Sequence, residues 1–165
     1  MITLLLSPEA LAGTEATVEG DDYRHLFRAR RLSAGERLRA VDGEGRARWA
    51  EIAEVGRKSA RLLLLSEPAP THEPAARVEL LVAMLRRERA SWLVEKATEL
   101  GVAAVRFLET ERTVRELTAG TAARLERVAA AALVQCHGSR LPEITGPHPW
   151  TDLPALLAPL PDRWL

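Results

Sequence analysis

A lysine and a glutamate share one side of a predicted helix in the stretch "EKATELGV", residues 95–102. Trp92, Lys96 and Glu99 stand at positions i, i+4 and i+7, a spacing that places them on one helix face. On that face Lys96 and Glu99 are close enough to form an ion pair. Such a pair either fixes the helix beside its core or orders a cleft. The spacing alone favours the structural role, because surface ion pairs are common and weak.

Arginines crowd together between residues 24 and 48, where few acids accompany them. A local basic field attracts phosphate groups even in a chain whose 23 Lys and Arg balance its 23 Asp and Glu. The alternative is a solvated face in a chain whose basic residues are almost all arginines, and charge alone favours that alternative. The run consists of Arg24, Arg28, Arg30, Arg31, Arg37, Arg39, Arg46 and Arg48.

Metal and thiol chemistry have little support. Cys136, His137 and His148 lack a fourth ligand and the usual spacing, so we expect no metal site. Cys136 has no partner base and is predicted to be a small buried apolar residue. A single cysteine, no bilayer-length apolar run and no secretion leader predict a soluble, cytoplasmic protein. The tryptophans are expected to pack rather than stack on bases: Trp49, Trp92, Trp150 and Trp164.

Residues 1–68 show the pattern of short strands. "ITLLL", "ERLRAV", "RARWAEIAEV" and "SARLLLL" are separated by turn signals such as "DGEG" and "GRK", which predicts a small antiparallel barrel or curled sheet. In "ERLRAV", Leu38 and Ala40 alternate with Arg37 and Arg39, so the arginines are predicted to face away from the core. "DDYRHLFRARRLSAGE" predicts a short helix or a turn, capped by Asp21 or Asp22.

After a proline-rich linker at residues 69–77, residues 78–165 alternate strands and helices. "VELLVAML" and "VAAVRFL" are typical of buried strands, and "ASWLVEKATEL" predicts a helix that buries Leu93, Ala97 and Leu100 and ends at Gly101. "AARLERVAAAALVQ" predicts a helix capped by Thr121, with Leu125, Val128 and Ala132 in its packing stripe. This order predicts a parallel sheet with right-handed crossovers. A third, short helix is expected near residues 151–154 with Asp152 as a cap, and "PDRWL" resembles the start of a further strand.

The segment "LVAMLRRERASWLVEKATELGVAAVRFLETERTV" resembles the opening of the catalytic domain of the RsmE family, ribosomal RNA methyltransferases that modify N3 of a uridine. Lys96 to Val102 matches the family's "K-A-T-E-L-G-V", and Phe107 replaces a usual proline. "HLFRARRLSAGERLRAVDGEG" is similar to the family's N-terminal motif, and "AAAALVQCHGSRLPEI" is a weaker match in which Ala131 replaces a glutamate. The remaining matching positions are His25, Leu26, Arg31, Gly35, Asp42, Gly43, Gly45, Arg86, Arg89, Glu111, Arg112, Gln135 and Pro142.

The resemblance implies a two-domain α+β protein. A PUA-like RNA-binding barrel at residues 1–68 precedes the first part of a SPOUT-like α/β methyltransferase domain at residues 78–165. It implies 16S ribosomal RNA or the small ribosomal subunit as partner, and S-adenosylmethionine and a homodimer for the full-length protein. The implied RNA contacts are His25, Arg28, Arg31, Arg86 and Arg89, and the residues implied to support the cleft are Lys96, Glu99, Arg112 and Gln135.

Relatives continue into a "G-P-E-G-G" loop and an "L-G-x-x-I-L-R-x-E-T-A" segment that build the cofactor-binding knot. Neither motif occurs before Leu165, the last of these residues. We therefore expect that the chain is truncated or that its remainder is not represented in these residues. In either case we expect the 165 residues to be inactive alone, with the cofactor-binding residues of the full-length protein beyond Leu165. No catalytic or cofactor-binding residue is assigned within the 165 residues.

Two other functions stay open. The first is a non-enzymatic RNA-binding module that binds no S-adenosylmethionine. The second is a small α/β metabolic enzyme with an accessory barrel, which an RNA affinity that falls steeply with salt would contradict.

Overall fold

The computed structural model describes residues 1–111 and 118–158. The chain forms two compact units, each with its own sheet. The first contains residues 1–74 together with 133–141, and the second contains residues 75–132 and 142–165. Residues 133–141 include the end of a long helix, so the first unit is assembled from two separate parts of the chain.

The first unit is built on a five-stranded mixed sheet of order β1-β3-β4-β5-β2. Its strands are β1 (Thr3–Leu5), β2 (Glu15–Val18), β3 (Arg37–Val41), β4 (Ala47–Val55) and β5 (Ala60–Pro68). The predicted antiparallel succession of β3, β4 and β5 is confirmed. The prediction of a wholly antiparallel sheet is wrong, because β1 pairs parallel with β3. The long connection from β1 to β3 permits this pairing, since parallel strands need a crossover of about a dozen residues or more.

Alternate residues of the strands form the core of this unit. Leu38, Ala50, Ile52 and Leu62 are buried from three successive strands, as the period of two predicts. Burying each large aliphatic side chain contributes roughly 1.5–3 kcal/mol. The "DGEG" and "GRK" stretches form the two turns between these strands, as predicted.

Two short helical segments pack with the sheet. Helix α1 (Pro8–Ala12) was not predicted; Ser7 caps it by accepting a hydrogen bond from the Ala10 amide at 3.2 Å. Helix α2 (Gly20–Tyr23) continues into a wider π-helical turn (Arg24–Ala29). The predicted cap is wrong, since Glu19 precedes the helix and the aspartates occupy its first turn. Carboxylates in a first turn stabilise a helix through its dipole instead.

Arg39 is buried, although the alternating pattern of β3 predicted that it faces solvent. Its exposed fraction is 0%. Nε donates to the Pro70 carbonyl at 3.0 Å, and Nη1 donates to the carbonyls of His137 and Gly138 at 3.1 and 2.9 Å. Burial lowers the pKa of this guanidinium. The pattern failed because segments distant in sequence cover the outer face of β3.

Glu73 fixes the proline-rich segment to the first unit. Its Oε1 accepts hydrogen bonds from the Ser139 amide at 2.6 Å, the Ser139 hydroxyl at 2.7 Å and the Arg140 amide at 3.1 Å. Ala69 is buried in a cluster with Val41, Ala47 and Leu133, and its amide donates to the Ala47 carbonyl at 3.0 Å. The segment is therefore held by hydrogen bonds up to Glu73.

The second unit contains a three-stranded parallel sheet of order β6-β7-β8. Its elements are β6 (Glu79–Ala83), α3 (Arg87–Glu99), β7 (Ala104–Glu109), α4 (Ala119–Cys136), β8 (Glu143–Pro149) and α5 (Leu153–Leu157). The predicted parallel sheet is confirmed. Arg106 of β7 joins all three strands, since its guanidinium pairs with Glu79 at 2.9 Å and Glu143 at 3.1 Å.

Strand β8 was not predicted, because its sequence "EITGPHP" contains residues that usually interrupt strands. Proline is tolerated in a strand at the edge of a sheet, and β8 is an edge strand. The pairing of β7 with β8 shifts register around Phe107. Gly146 has φ +113 there, and a Cβ on it would lie 2.3 Å from the Phe107 carbonyl oxygen.

The predicted burial of α3 is only partly correct. Ala97 is buried, but Leu93 is half-buried and Leu100 is 74% exposed, because the core-facing row contains Ala90, Val94 and Ala97. Gly101 follows the helix with φ 71, as predicted.

Helix α4 begins before the predicted Thr121, and Thr118 Oγ1 accepts from the Thr121 amide at 3.3 Å. In its predicted stripe, Leu125 and Ala132 are buried and Val128 is half-buried. A 3-10 turn (Trp150–Asp152) leads into α5, and Asp152 stands at the cap position without a side-chain cap bond.

Several predicted buried residues are exposed. Strand β6 is only half-buried, whereas the sequence predicted cover on both faces. Trp92 and Trp150 are 62% and 59% exposed, and Cys136 is exposed rather than buried. Trp49 packs against the cluster around Val41 and Leu133.

The end of the chain carries one prediction that the structure leaves open. The "PDRWL" segment, with Trp164 and Leu165, lies outside the described residues, so the further strand expected there stays a prediction. No helix within the described ranges has the length and apolarity to cross a membrane.

Candidate nucleic-acid interface

The helical segment from Tyr23 to Arg31 presents basic side chains outward from two aromatic anchors. Tyr23 and Phe27 are buried and stacked with their ring centroids 5.3 Å apart. His25, Arg28 and Arg31 are exposed. The predicted RNA contacts of the first unit therefore lie on one helical turn and the residues directly after it.

Arg28 is held in place by two contacts. Its guanidinium lies over the Tyr23 ring, 5.6 Å from the centroid, and Nη2 donates to the Arg57 carbonyl at 2.7 Å. Tyr23 itself donates its hydroxyl hydrogen to the Gly56 carbonyl at 2.6 Å. The helical turn is thus attached at two points to the turn between β4 and β5.

His25 and Arg30 form a second local pair. Arg30 Nε donates to His25 Nε2 at 3.2 Å, so the ring hydrogen in this arrangement is on Nδ1. His25 therefore orients a neighbouring cation that was not among the predicted RNA contacts. Arg31 has φ 59, a conformation that ends the helical segment.

The other arginines of the first unit have partners that belong to the fold. Arg24, Arg37, Arg46 and Arg61 form ion pairs with Asp21, Glu51, Asp42 and Glu15. Arg39 and Arg48 donate to backbone carbonyls instead. Among the described residues, no carboxylate lies within ion-pair distance of the exposed cations that remain. Those cations are Arg28, Arg30, Arg31, Arg57, Lys58 and Arg140.

In the second unit, Arg86 and Arg89 lie where the sequence placed them, after the carboxyl end of β6. Arg86 occupies the cap position of α3 and Arg89 its first turn, and both are exposed. A positive charge near the positive end of a helix is unfavourable for the helix itself. These arginines therefore do not stabilise α3, whose first-turn acid is Glu88.

A cavity of about 280 Å³ lies at the starts of α3 and α4. It is lined by Met84, Leu85, Arg87, Thr118, Gly120, Thr121 and Arg124. Arg124 hydrogen-bonds to Ser91 and to the Arg87 carbonyl, which joins the starts of α3 and α4. Among the described residues the lining contains two guanidinium groups and no carboxylate, so this part of the lining suits an anion.

Lys96 and Glu99 form the ion pair that their spacing predicted. Lys96 Nζ lies 2.9 Å from Glu99 Oε1 and 2.8 Å from Glu95 Oε1. Hydrogen bonds to Glu95 and Glu99 raise the pKa of Lys96, so the charged form is favoured. Trp92 on the same face is exposed.

The remaining predicted residues are dispersed. Gln135 is exposed in the last turn of α4, within the first unit. Arg112 lies outside the described residues. His137 and His148 bind separate hydroxyls, those of Thr3 at 2.9 Å and Thr145 at 3.0 Å. In the part of the chain that the structure describes, no three His, Cys, Asp or Glu side chains are grouped as metal ligands.

Comparisons with known proteins identify the family. The model of an RNA methyltransferase domain matches residues 71–159, more than half of the chain, and the model of an RNA methyltransferase PUA domain matches residues 18–65. A ribosomal RNA small subunit methyltransferase E from Mycobacterium bovis is 29% identical over 154 residues, 88% of this chain and 58% of that protein. The chain belongs to the RsmE family of RNA methyltransferases.

Solved structures of this family share the fold. A probable rRNA-methyltransferase from Porphyromonas gingivalis has a TM-score of 0.78 at 28% identity. The match covers 93% of this chain and 63% of that protein's chain. A ribosomal RNA small subunit methyltransferase E from Neisseria gonorrhoeae bound to S-adenosyl methionine has a TM-score of 0.74 at 22% identity. That match covers 88% of this chain and 61% of the other. The chain spans about half the length of the curated relatives it matches, between 47% and 58%.

Proposed function

We propose that this chain is part of an enzyme that methylates N3 of a uridine in 16S ribosomal RNA. The observation that carries the proposal is the match of the RNA methyltransferase domain model over residues 71–159. Names of relatives that act on small-subunit ribosomal RNA support the substrate. The N3 position and the activity itself are proposals for the whole protein.

We further propose that the parts of the chain have the separate roles that the sequence indicated. Residues 1–68 act as a PUA-like barrel that binds RNA, residues 69–77 link it, and residues 78–165 form the first part of a SPOUT-like domain. His25, Arg28, Arg31, Arg86 and Arg89 contact RNA. The four arginines bind its phosphates, since guanidinium groups bind phosphate in a bidentate manner without reading sequence. The exposure of these side chains supports this role. Lys96, Glu99, Arg112 and Gln135 order the cleft, and the enzyme is a cytoplasmic homodimer.

S-adenosylmethionine would supply an electrophilic methyl group on a sulfonium cation. The described residues do not fit this cofactor. The cavity at the start of α3 carries Arg87 and Arg124, whose charges repel a sulfonium, and no carboxylate lines it to bind ribose hydroxyls. No chemical step through the cofactor is therefore assigned to these residues. That the cofactor site lies beyond Leu165, and that the 165-residue chain is inactive alone, both stay predictions.

The test of the proposed function uses the full-length protein, small ribosomal subunits and S-adenosylmethionine. N3 of uridine donates the Watson–Crick hydrogen bond, so a methyl group there should stop reverse transcription at one nucleotide. A cofactor-dependent stop supports the proposal. Methylation without a stop would place the methyl group on another atom.

A non-enzymatic RNA-binding module is the second candidate, and the cluster of unpaired arginines in the described part of the first unit is compatible with it. This candidate predicts that the full-length protein binds RNA and that calorimetry detects no binding of S-adenosylmethionine to it. That outcome would reject the enzyme and keep the RNA surface.

A further inference from the structure

The turn between β4 and β5 carries two cations at its tip. The Gly56 amide donates to the Ser59 carbonyl at 2.9 Å, which closes a tight turn with Arg57 and Lys58 at its two central positions. Both side chains are exposed. The sequence "GRK" predicted only a turn, so these residues were absent from the expected RNA contacts.

This turn and the helical turn from Tyr23 to Arg31 form one structure. The Tyr23 hydroxyl reaches the Gly56 carbonyl at 2.6 Å, and Arg28 reaches the Arg57 carbonyl at 2.7 Å. The second bond brings the Arg28 guanidinium directly beside the turn. Three cations from two separate parts of the chain, Arg28, Arg57 and Lys58, therefore share one small surface.

The charge distribution of the first unit makes this surface unusual. Most exposed arginines elsewhere in the described part of the unit, such as Arg37 and Arg61, have carboxylate partners, and Arg140 is an exception. Within the described ranges the cations of this surface have none, and Arg30 and Arg31 add two more positive charges next to it along the chain. Concentrated like charge costs folding free energy and attracts anions. The fold gains no ion pair from these side chains, so an anionic partner is the better explanation for them.

We propose that Arg57 and Lys58 contact RNA phosphates and, together with Arg28, Arg30 and Arg31, form a single RNA-docking surface. The proposal rests on the proposed function, because family membership identifies RNA as the polyanion. The surface positions RNA without reading its sequence, since its groups are guanidinium and ammonium ions suited to phosphate. Its two parts hold a fixed relation through the bonds of Tyr23 and Arg28.

The experiment measures binding of the 165-residue chain to a 16S ribosomal RNA fragment between 0.1 and 1 M salt. Each phosphate contact contributes about 0.7–0.9 to the slope of log affinity against log salt. Replacing both residues, Arg57→Gln with Lys58→Gln, should lower that slope by about 1.4–1.8. If the electrostatic contribution vanishes near 1 M, the affinity at 0.1 M falls roughly 25- to 60-fold.

A matched control removes the same net charge elsewhere in the unit. Arg37→Gln with Arg61→Gln removes two exposed cations that pair with Glu51 and Glu15. We expect this control to change RNA affinity less than threefold. Equal losses in the control and the turn variant would mean that only net charge matters, and would overturn the proposal.

Thermal unfolding separates binding from stability. The melting temperature of the turn variant should be unchanged or higher, because the substitution relieves repulsion and breaks no ion pair. A lower melting temperature with unchanged RNA affinity would show that the two side chains serve the fold.

A third variant, Arg28→Gln with Arg31→Gln, distinguishes this inference from the proposed function. If it weakens binding while the turn variant does not, Arg57 and Lys58 are not contacts and the RNA role of the helical turn stands. If wild-type binding shows no salt dependence, the proposed RNA surface fails as a whole.

Discussion

Replacing Glu73 with alanine should destabilise the first unit by about 2–4 kcal/mol, since it removes three hydrogen bonds at once. One carboxylate oxygen accepts from the Ser139 amide, the Ser139 hydroxyl and the Arg140 amide. Ser139 is fully buried, so Glu73→Ala removes the partner of both its amide and its hydroxyl in a site that is closed to solvent. A buried polar group left unpaired costs about 1–3 kcal/mol. The charge of Glu73 also favours the buried Arg39 cation, and that attraction is lost as well.

Urea unfolding at pH 7, followed by tryptophan fluorescence, measures this loss. Glu73→Gln keeps one acceptor oxygen and should cost about 1–2 kcal/mol, because the bonds remain but are no longer charge-assisted. Glu67→Ala is the control, since Glu67 is an exposed carboxylate near the end of β5 and should change the free energy by less than about 0.5 kcal/mol. If Glu73→Ala behaves like Glu67→Ala, the hydrogen bonds of Glu73 to Ser139 and Arg140 do not stabilise the first unit.

Two further substitutions test local structure. Gly146→Ala should lower the free energy of unfolding by about 3 kcal/mol or more, because φ +113 disfavours any side chain and the new Cβ would meet the Phe107 carbonyl oxygen at 2.3 Å. Urea unfolding measures this loss. Gly120→Ala is the control, since a Cβ there would meet nothing nearer than Thr118 Oγ1 at 4.0 Å. Burial, and then repulsion by the N-terminus and Arg39, lower the pKa of His137, so its neutral form stabilises the fold. That stability is complete above about pH 6.5 and falls by at most about 1.4 kcal/mol per pH unit below it. His137→Gln should remove this fall in unfolding measured at pH 7.5 and 5.5, and an unchanged pH profile would contradict the assignment.

Local sequence patterns predicted the elements whose contacts are local. Strands β3, β4 and β5 alternate apolar residues and are joined by turns that contain glycine, so short windows of sequence identify them. Helices α3 and α4 also follow from periodicity, and the strand–helix order predicts the parallel sheet of the second unit. The Lys96–Glu99 pair was predictable for the same reason, because both residues are on one helix.

Features that depend on distant segments were not predictable from pattern. Arg39 alternates with apolar neighbours and so was predicted to face solvent, yet carbonyls almost a hundred residues away enclose it. Leu100 was assigned to the core of α3 because it continues a helical spacing, but the buried row runs through Ala90 and Val94. Strand β8 was missed because its edge position, which tolerates proline, is a property of the sheet and not of the strand.

The candidate RNA surface was partly predictable for a related reason. Arg28 and Arg31 belong to an arginine-rich run that attracts attention in the sequence, whereas Arg57 and Lys58 are two residues in a turn. The bonds of Tyr23 and Arg28 to that turn bring the two groups together. A pair of cations in a tight turn could have been a signal, but its position relative to the helix required coordinates.

In the first unit, the partner of each cation, more than the number of cations, distinguishes the cations that stabilise the fold from those that are available to bind RNA. The arginines between Arg24 and Arg48 look alike in the sequence, yet Arg39 and Arg48 donate to carbonyls and Arg46 pairs with Asp42. Burial opposes ionisation of Asp42, but amide and guanidinium hydrogen bonds to it prevail and lower its pKa. Cations used in this way are neutralised at short range and add little to the field around the protein. The long-range field that steers a polyanion must come from unneutralised charges, and in the described first unit these concentrate on the helical turn and the β4–β5 turn. A formal net charge of zero is therefore compatible with a strongly basic docking surface.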